Sequence, residues 1–414
     1  MTRSHDVAAA VDEKRLGELV DRVGSFGALP GGGIDRQALT AADLDARRFL
    51  VDLARSNGAV AFRDPAGNFF FRWAGRGDAA PVVTGSHCDS QPTAGSLDGA
   101  YGVCAAIEVL AALSATGYHA ARPIEAVVWT NEEGCRFAPG TMGSNAFVKP
   151  ELLEEFRRSA DGDGVTFGDA LRELDGCFAD VPMRSLGAPL FAFVEAHIEQ
   201  GPLLEERDVP IGLVAGIQGC RWFEFKISGQ ASHAGTTPLS NKHDALMAAV
   251  EVAAGVYRLL KAGDERLRLT IGRLLVRPGS PNVVPAEVVF TVDLRHPESA
   301  LLDQVEGELR SLVRSTAGCS VEIARTMTMP TTTFDPLVVG AVERAARAWN
   351  MSHLELHSGA FHDALRLSEH CPTGMVFVPS IGGISHSPQE RTELRHLAQG
   401  ARVLAEAVVD LADS

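Results

Sequence analysis

The chain has little that would tie it to nucleic acid or to a membrane. Its 38 lysines and arginines face 53 aspartates and glutamates, a formal net charge of -15 at pH 7. A field of that sign repels nucleic acid and anionic lipid, although a local arginine can still hold a small anion. Long apolar runs are also missing. The most apolar stretch, Gly102 to Leu113, contains Glu108 and falls short of the ~20 residues a bilayer span needs. The opening MTRSHDVAAAVDEKR has acids where a signal peptide carries its apolar segment, so a cytoplasmic protein is expected. Cysteine is scarce, odd in number at seven, and shows no close paired spacing. Reduced thiols are the simplest expectation. No internal repeat or low-complexity segment stands out. The glycine-rich PGGGIDR (30–36) lacks phosphate-loop spacing and reads as a flexible turn.

What is present is globular in character, 45% hydrophobic and 22% charged. At 414 residues the chain exceeds one ordinary core, so two domains are expected. The first part alternates strand and helix: strands over 81–86 (PVVTGS), 124–130 (IEAVVWT) and 191–198 (FAFVEAHI), with an amphipathic helix from Tyr101 to Ser114. That alternation predicts an α/β sheet flanked by helices. The middle reads β-α-β-β-α-β. Its strands are 220–228, 267–277, 283–295 and 319–326, and its helices run from Lys242 to Leu260 and from Ser299 to Ser315. This is a ferredoxin-like order. The end returns to α/β, with a helix near 335–350, a strand at 374–379 and a helix near 392–412.

Polar residues collect just past the predicted strands, where open α/β sheets bind ligands. After the first strand come His87, Asp89 and Asp98 on a glycine-rich loop. After the second come adjacent Glu132 and Glu133, and the third runs into His197 and Glu199. His386 follows the strand near the C-terminus. Taken singly, each has an ordinary reading: a structural histidine, a solvated glutamate pair, or Asp98 as a helix cap. Four clusters converging on one sheet edge make a metal site the better reading. Mixed His and Asp/Glu donors suit Zn, Mn, Co or Ni, and suffice for two ions if one carboxylate bridges. His87 and Asp89 share a face of extended chain, which places Asp89 to orient the imidazole. Glu132 and Glu133 point differently, so one can ligate while the other takes a proton from water. Because these donors lie at 87–197 and at 386, the ferredoxin-like unit must be an insertion in a discontinuous domain.

The motifs GSHCDSQPTAGSLDGAYGV, TNEEGCRF, EAHIEQGP, GQASHAGTTP, PNVVPAEVVFTVDLRHPE, SGAFHDA and FVPSIGGISHSP run in order almost end to end. In these the chain resembles the hydantoinase/carbamoylase branch of the dinuclear metallopeptidase-like amidohydrolases. That branch includes N-carbamoyl-L-amino-acid hydrolases, β-ureidopropionases and allantoate amidohydrolases. The resemblance implies a catalytic domain of residues 1–213 and 331–414, and an inserted lid and dimerisation domain of residues 214–330. It implies His87, Asp98, Glu133, His197 and His386 as ligands of two divalent metals, with Asp98 bridging. It makes Glu132 the general base, and Gln200, Asn282 and Arg295 substrate-binding residues. His233 is expected to act on the substrate from across a homodimer interface, with Asn282 beside it.

Arg295 can grip a carboxylate bidentately, whereas residue by residue a surface pair with Glu298 is the plainer reading. Cys88, Phe361 and Lys242 depart from the family pattern, and Phe361 bears on substrate choice. The implied activity is cleavage of an N-carbamoyl amino acid to amino acid, carbon dioxide and ammonia. The QPT and GIQGCRWFE segments favour this over allantoate or a related ureide. An N-acyl amino acid or dipeptide is a further alternative. A non-catalytic binding protein of the same fold would have lost ligands or base, and all are present.

Overall fold

The computed structural model describes residues 3–260, 264–313, 316 and 318–414. The chain divides into two compact units, Met1–Ala215 with Phe334–Ser414, and Gly216–Thr333. The first unit begins with β1 (Val60–Arg63), β2 (Phe69–Trp73), β3 (Val82–His87), β4 (Ile124–Trp129) and β5 (Ala192–Ile198), and β6 (Ile211–Ile217) starts in it and ends in the second. The second contains β7 (Gly219–Ser228), β8 (Ser232–His233), β9 (Arg268–Arg277), β10 (Val283–Val284), β11 (Glu287–His296), β12 (Ser320–Met329) and β13 (Thr332–Thr333). The chain then returns to the first unit with β14 (His353–Ser358) and β15 (Thr373–Val378).

The large sheet runs β1-β2-β4-β3-β5-β15-β6-β13, with β14 paired to β6. Its centre is parallel, from β4 through β3 and β5 to β15. The flanks are antiparallel at β2 and β6. β3, β4, β5 and β15 are buried at every position, so both faces are covered, and such strands read as continuous apolar runs. The helix Ala100–Thr116 packs on β3, β4 and β5 and is buried from Ala100 to Leu113. Alanine favours this helix, and Gly102 lets it approach β5, where a Cβ would stand 2.2 Å from the Ala196 carbonyl oxygen. Gly117 in the left-handed conformation ends it.

In the second unit β7, β9, β11 and β12 form an antiparallel sheet of order β12-β7-β11-β9. Val288, Phe290, Val292 and Leu294 alternate inward along β11, opposite Phe223, Phe225 and Ile227 of β7. They form a separate core with the helices Ala245–Leu260 and Ser299–Ser311, a β-α-β-β-α-β order.

The expected elements shift at several ends. The helix expected from Lys242 starts at Ala245, because the Asp244 carboxylate accepts from the Leu246 amide and caps it. The strand expected over 283–295 breaks at Pro285, which has no amide hydrogen for the ladder, into β10 and β11. The helix expected to Ser315 ends at Ser311, and residues 314 and 315 lie outside the described residues. β1, β2, β6 and β14 were not expected. Among the described residues no helix is long and apolar enough to cross a membrane.

Candidate metal centre

The carboxyl ends of the parallel strands carry the site. β3 ends at His87, and the loop after it brings Asp98 to the threshold of the helix Ala100–Thr116. Asp98 does not cap that helix: the N-cap is Gly99, and no side chain bonds there. Gly99 is required, because its φ is +62° and a Cβ would meet the His87 ring at 2.3 Å. β4 is followed by Asn131, whose φ of 56° turns the chain into Glu132 and Glu133. Gln200 and His386 also hold positive φ, 57° and 53°. Strained non-glycine backbone at three points beside these donors marks a site whose geometry the surrounding structure enforces.

The donor atoms of His87, Asp98 and His197 lie within 4.8 Å of one another, as do those of Asp98, Glu133 and His386. Asp98 belongs to both groups. Its Oδ1 is 3.8 Å from His87 Nε2 and 3.2 Å from His197 Nε2. Its Oδ2 is 2.9 Å from His386 Nε2, which in turn lies 3.7 Å from Glu133 Oε2. Glu132 Oε2 stands 3.6 Å from His87 Nε2.

The tautomers suit a cation. His87 Nδ1 is 2.9 Å from the Asp89 carbonyl oxygen and His197 Nδ1 is 2.9 Å from that of Ile198. A carbonyl only accepts, so each Nδ1 carries a hydrogen and each Nε2 can offer its lone pair to a cation. The charge balance also suits one. Asp89, Asp98, Glu195 and Asp363 are buried here, and burying acids without compensating charge is costly. Burial pushes Glu132 well above the usual carboxylate range, with Asp363 and Glu133 adding to it. Burial and the nearby Asp98 push Glu133 up to about 8. Burial also raises Asp98, but hydrogen bonds to His197 and His386 outweigh it and hold Asp98 well down. Burial lowers His197, yet the bond to Asp98 lifts it to about 9. His87, too far from Asp98 for a hydrogen bond, is lowered by burial.

A ring of polar groups supports these donors. Asp89 meets the His87 imidazole through its carbonyl oxygen, while its Oδ1 stays 3.9 Å from Nδ1. The Asp89 carboxylate accepts instead from the amides of Glu132 at 3.2 Å and Glu133 at 3.1 Å, tying the two donor loops together. Gln91 Nε2 donates to Glu133 Oε2 at 2.7 Å. Gln200 Nε2 donates to Asp98 Oδ2 at 2.9 Å. Glu199 takes no part: its carboxylate accepts from the amides of Leu203 and Leu204, both at 2.8 Å.

Four residues escaped the sequence reading. The Glu390 carboxylate accepts from the Leu97 and Asp98 amides at 2.9 and 3.1 Å, and Ser385 Oγ lies 2.9 Å from it. Glu195 is held by Ser86 Oγ at 2.6 Å. His362, within the SGAFHDA motif, lies edge-on to the His197 ring at 4.5 Å. Glu195 opens EAHIEQGP, Ser385 precedes His386 in FVPSIGGISHSP, and Glu390 lies two residues beyond that motif.

His233, Asn282 and Arg295 lie in the second unit and belong to neither donor group. His233 Nδ1 accepts from the amides of Gly235 at 3.1 Å and Thr236 at 3.2 Å, so its hydrogen is on Nε2. The Asn282 carbonyl accepts from the Ala234 amide at 3.0 Å, joining the two loops. Arg295 pairs with Asp293, while Glu298, the partner expected for it, pairs with Arg266.

Comparison with known proteins agrees with a hydrolytic metal centre. The model of peptidase family M20/M25/M40 matches residues 83–410. The chain belongs to that family. It is 36% identical over 410 residues to an N-carbamoyl-L-amino-acid amidohydrolase of Rhizobium meliloti, covering 97% of each chain. It is 31% identical to a ureidoglycolate hydrolase of Arabidopsis thaliana, covering 96% of this chain and 86% of that one. Among solved structures, an amidase of the hydantoinase/carbamoylase family from Burkholderia multivorans matches with a TM-score of 0.92 and 42% identity, covering 98% of each chain. This M20/M25/M40 member is a metal-dependent hydrolase of C–N bonds, with a mixed α/β catalytic fold.

Proposed function

We propose that the chain cleaves an N-carbamoyl amino acid to the free amino acid, carbon dioxide and ammonia, using two divalent cations of Zn, Mn, Co or Ni. The observation that carries this is the position of Asp98 between two donor groups with Glu132 beside it. The end-to-end likeness to N-carbamoyl-L-amino-acid amidohydrolases supports the substrate class. His87 and His197 would hold one cation and Glu133 and His386 the other, with Asp98 shared. Bound there, such cations polarise the scissile carbonyl and lower the pKa of water.

The chain's own residues supply the rest. Glu132 Oε2 takes the proton of the attacking water and passes it to the leaving nitrogen. His233, with its hydrogen on Nε2, donates to the developing oxyanion. Arg295 holds the substrate carboxylate, and Asn282 and Gln200 orient the scissile group.

The second unit acts as lid and dimerisation domain, and His233 and Asn282 serve the partner's site in a homodimer. Exposed Met247, Val250 and Tyr257 on one helix, and Leu274 and Leu275 on edge strand β9, support association there. The seven free thiols support a cytoplasmic setting. A ureide such as allantoate is the second reading, favoured by the likeness to ureidoglycolate hydrolases.

The test is ammonia release from N-carbamoyl-L-amino acids, N-carbamoyl-β-alanine and allantoate, using metal-free enzyme with each metal added back. Metal-dependent turnover of a carbamoyl substrate supports the proposal. Turnover of allantoate alone transfers it to the ureide reading.

A further inference from the structure

A cavity of about 780 Å³ opens on the face of the four-stranded sheet that its two helices leave bare, and Trp222, Asp293 and Arg295 line it. β7 and β11 pair so that Trp222 lies directly opposite Asp293, with Arg295 two residues further along the same face. The Asp293 carboxylate is shared between the other two. Its Oδ1 accepts from Arg295 Nε at 2.9 Å, and its Oδ2 accepts from Arg295 Nη2 at 2.8 Å and from Trp222 Nε1 at 3.0 Å. Burial pushes Asp293 up, but the Arg295 guanidinium outweighs it and keeps the carboxylate ionised.

This arrangement fixes two unlike groups against each other. A side-on bidentate bond sets the plane of the guanidinium. The indole, held by its N–H to the same carboxylate, stays 44% exposed although Trp is costly to leave in water. A carboxylate grip and an apolar surface are thus held at a set separation, as the carboxylate and side chain of one amino acid require. Groups ordered in advance lose less freedom when a ligand binds.

We propose that Asp293 is the positioning residue of a two-point recognition element, in which Arg295 takes the substrate carboxylate and the Trp222 ring takes the substrate side chain. The element favours aromatic and large apolar side chains over small ones. The inference rests on the reading of Arg295 as the carboxylate holder.

The experiment compares N-carbamoyl-L-phenylalanine with N-carbamoyl-L-alanine in metal-loaded wild type, D293N, D293E, W222A, W222F and R295A, with melting temperature and metal content as controls. The wild type prefers the phenylalanine substrate. D293N raises KM for both by roughly 10–100-fold with kcat nearly unchanged, and D293E recovers part of the loss. W222A raises KM about tenfold more for the phenylalanine substrate than for the alanine one. An unchanged KM in R295A overturns the carboxylate reading itself. A raised KM in R295A beside an unchanged one in D293N overturns the positioning role alone. An unaltered substrate ratio in W222A, or a wild type that prefers alanine, overturns the side-chain half. If D293N does not fold, W222F, which keeps a ring but loses the N–H to Asp293, decides. A weakened preference supports the element and an unweakened one overturns it.

Discussion

His386 Nε2 lies 2.9 Å from Asp98 Oδ2, although the whole second unit, Gly216–Thr333, intervenes between the two residues in sequence. The contact places the C-terminal segment at the same carboxylate that faces His87 and His197. The two donor groups are unequal: His87 and His197 are buried, whereas the His386 side chain is half exposed.

That inequality gives the first prediction. His386→Ala removes a donor from one group only and leaves His87, Asp98 and His197 intact. Metal analysis after dialysis is expected to fall from two ions per chain to one. Asp98→Asn weakens both groups, and both ions are expected to be lost. Equal stoichiometry in the two variants would show that Asp98 is not shared.

Glu132→Gln is expected to keep both metals and lose about 10²–10⁴ in kcat. Glutamine keeps the shape and cannot take a proton. Metal content and turnover measured on one sample separate this from a ligand defect, and full activity sinks the assignment.

Asp89→Ala frees the Glu132 and Glu133 amides from their common acceptor. The fold should survive, because the strands around the loop are packed independently of it. Metal affinity is expected to fall by roughly 10–100-fold, as for loss of other groups that hold metal ligands. A competition titration with a chromophoric chelator reads this directly.

Cys88 sits beside His87 yet is buried, and burial pushes its thiol up to about 12. The thiolate is the reactive form, so Cys88 is expected to resist alkylation at pH 8 in the folded enzyme. Exposed Cys177 is expected to label first. Mass mapping after brief iodoacetamide treatment checks the order, and early labelling of Cys88 contradicts it.

Added metal is expected to raise the melting temperature, since cations offset the crowded acids and bind the folded chain more tightly than the unfolded one. A concentration 100 times Kd corresponds to about 2.7 kcal/mol. Scanning calorimetry with and without metal measures the shift, which should shrink in Asp98→Asn.

Much of this was readable in the sequence where one physical signal dominated. β3, β4, β5 and β15 are covered on both faces and so appear as unbroken apolar runs. β14, HLELHS, is half exposed and polar, and β1 spans only four residues, so neither periodicity nor length distinguished them. The donors stood out because acids and imidazoles sat just past strand ends. The work of the Asp89 carboxylate did not, because its partners are backbone amides that carry no sequence mark until Asn131 turns the chain toward them. Glu199 looked like a donor for the same positional reason, and only the following helix, Leu203–Glu206, claims it.

The most direct test is a titration of metal-free enzyme with Mn, Co, Ni or Zn, following ammonia release from N-carbamoyl-L-amino acids. The account predicts no turnover without metal, and activity that rises and levels off at two equivalents per chain. Full turnover in protein shown to hold no metal would contradict it.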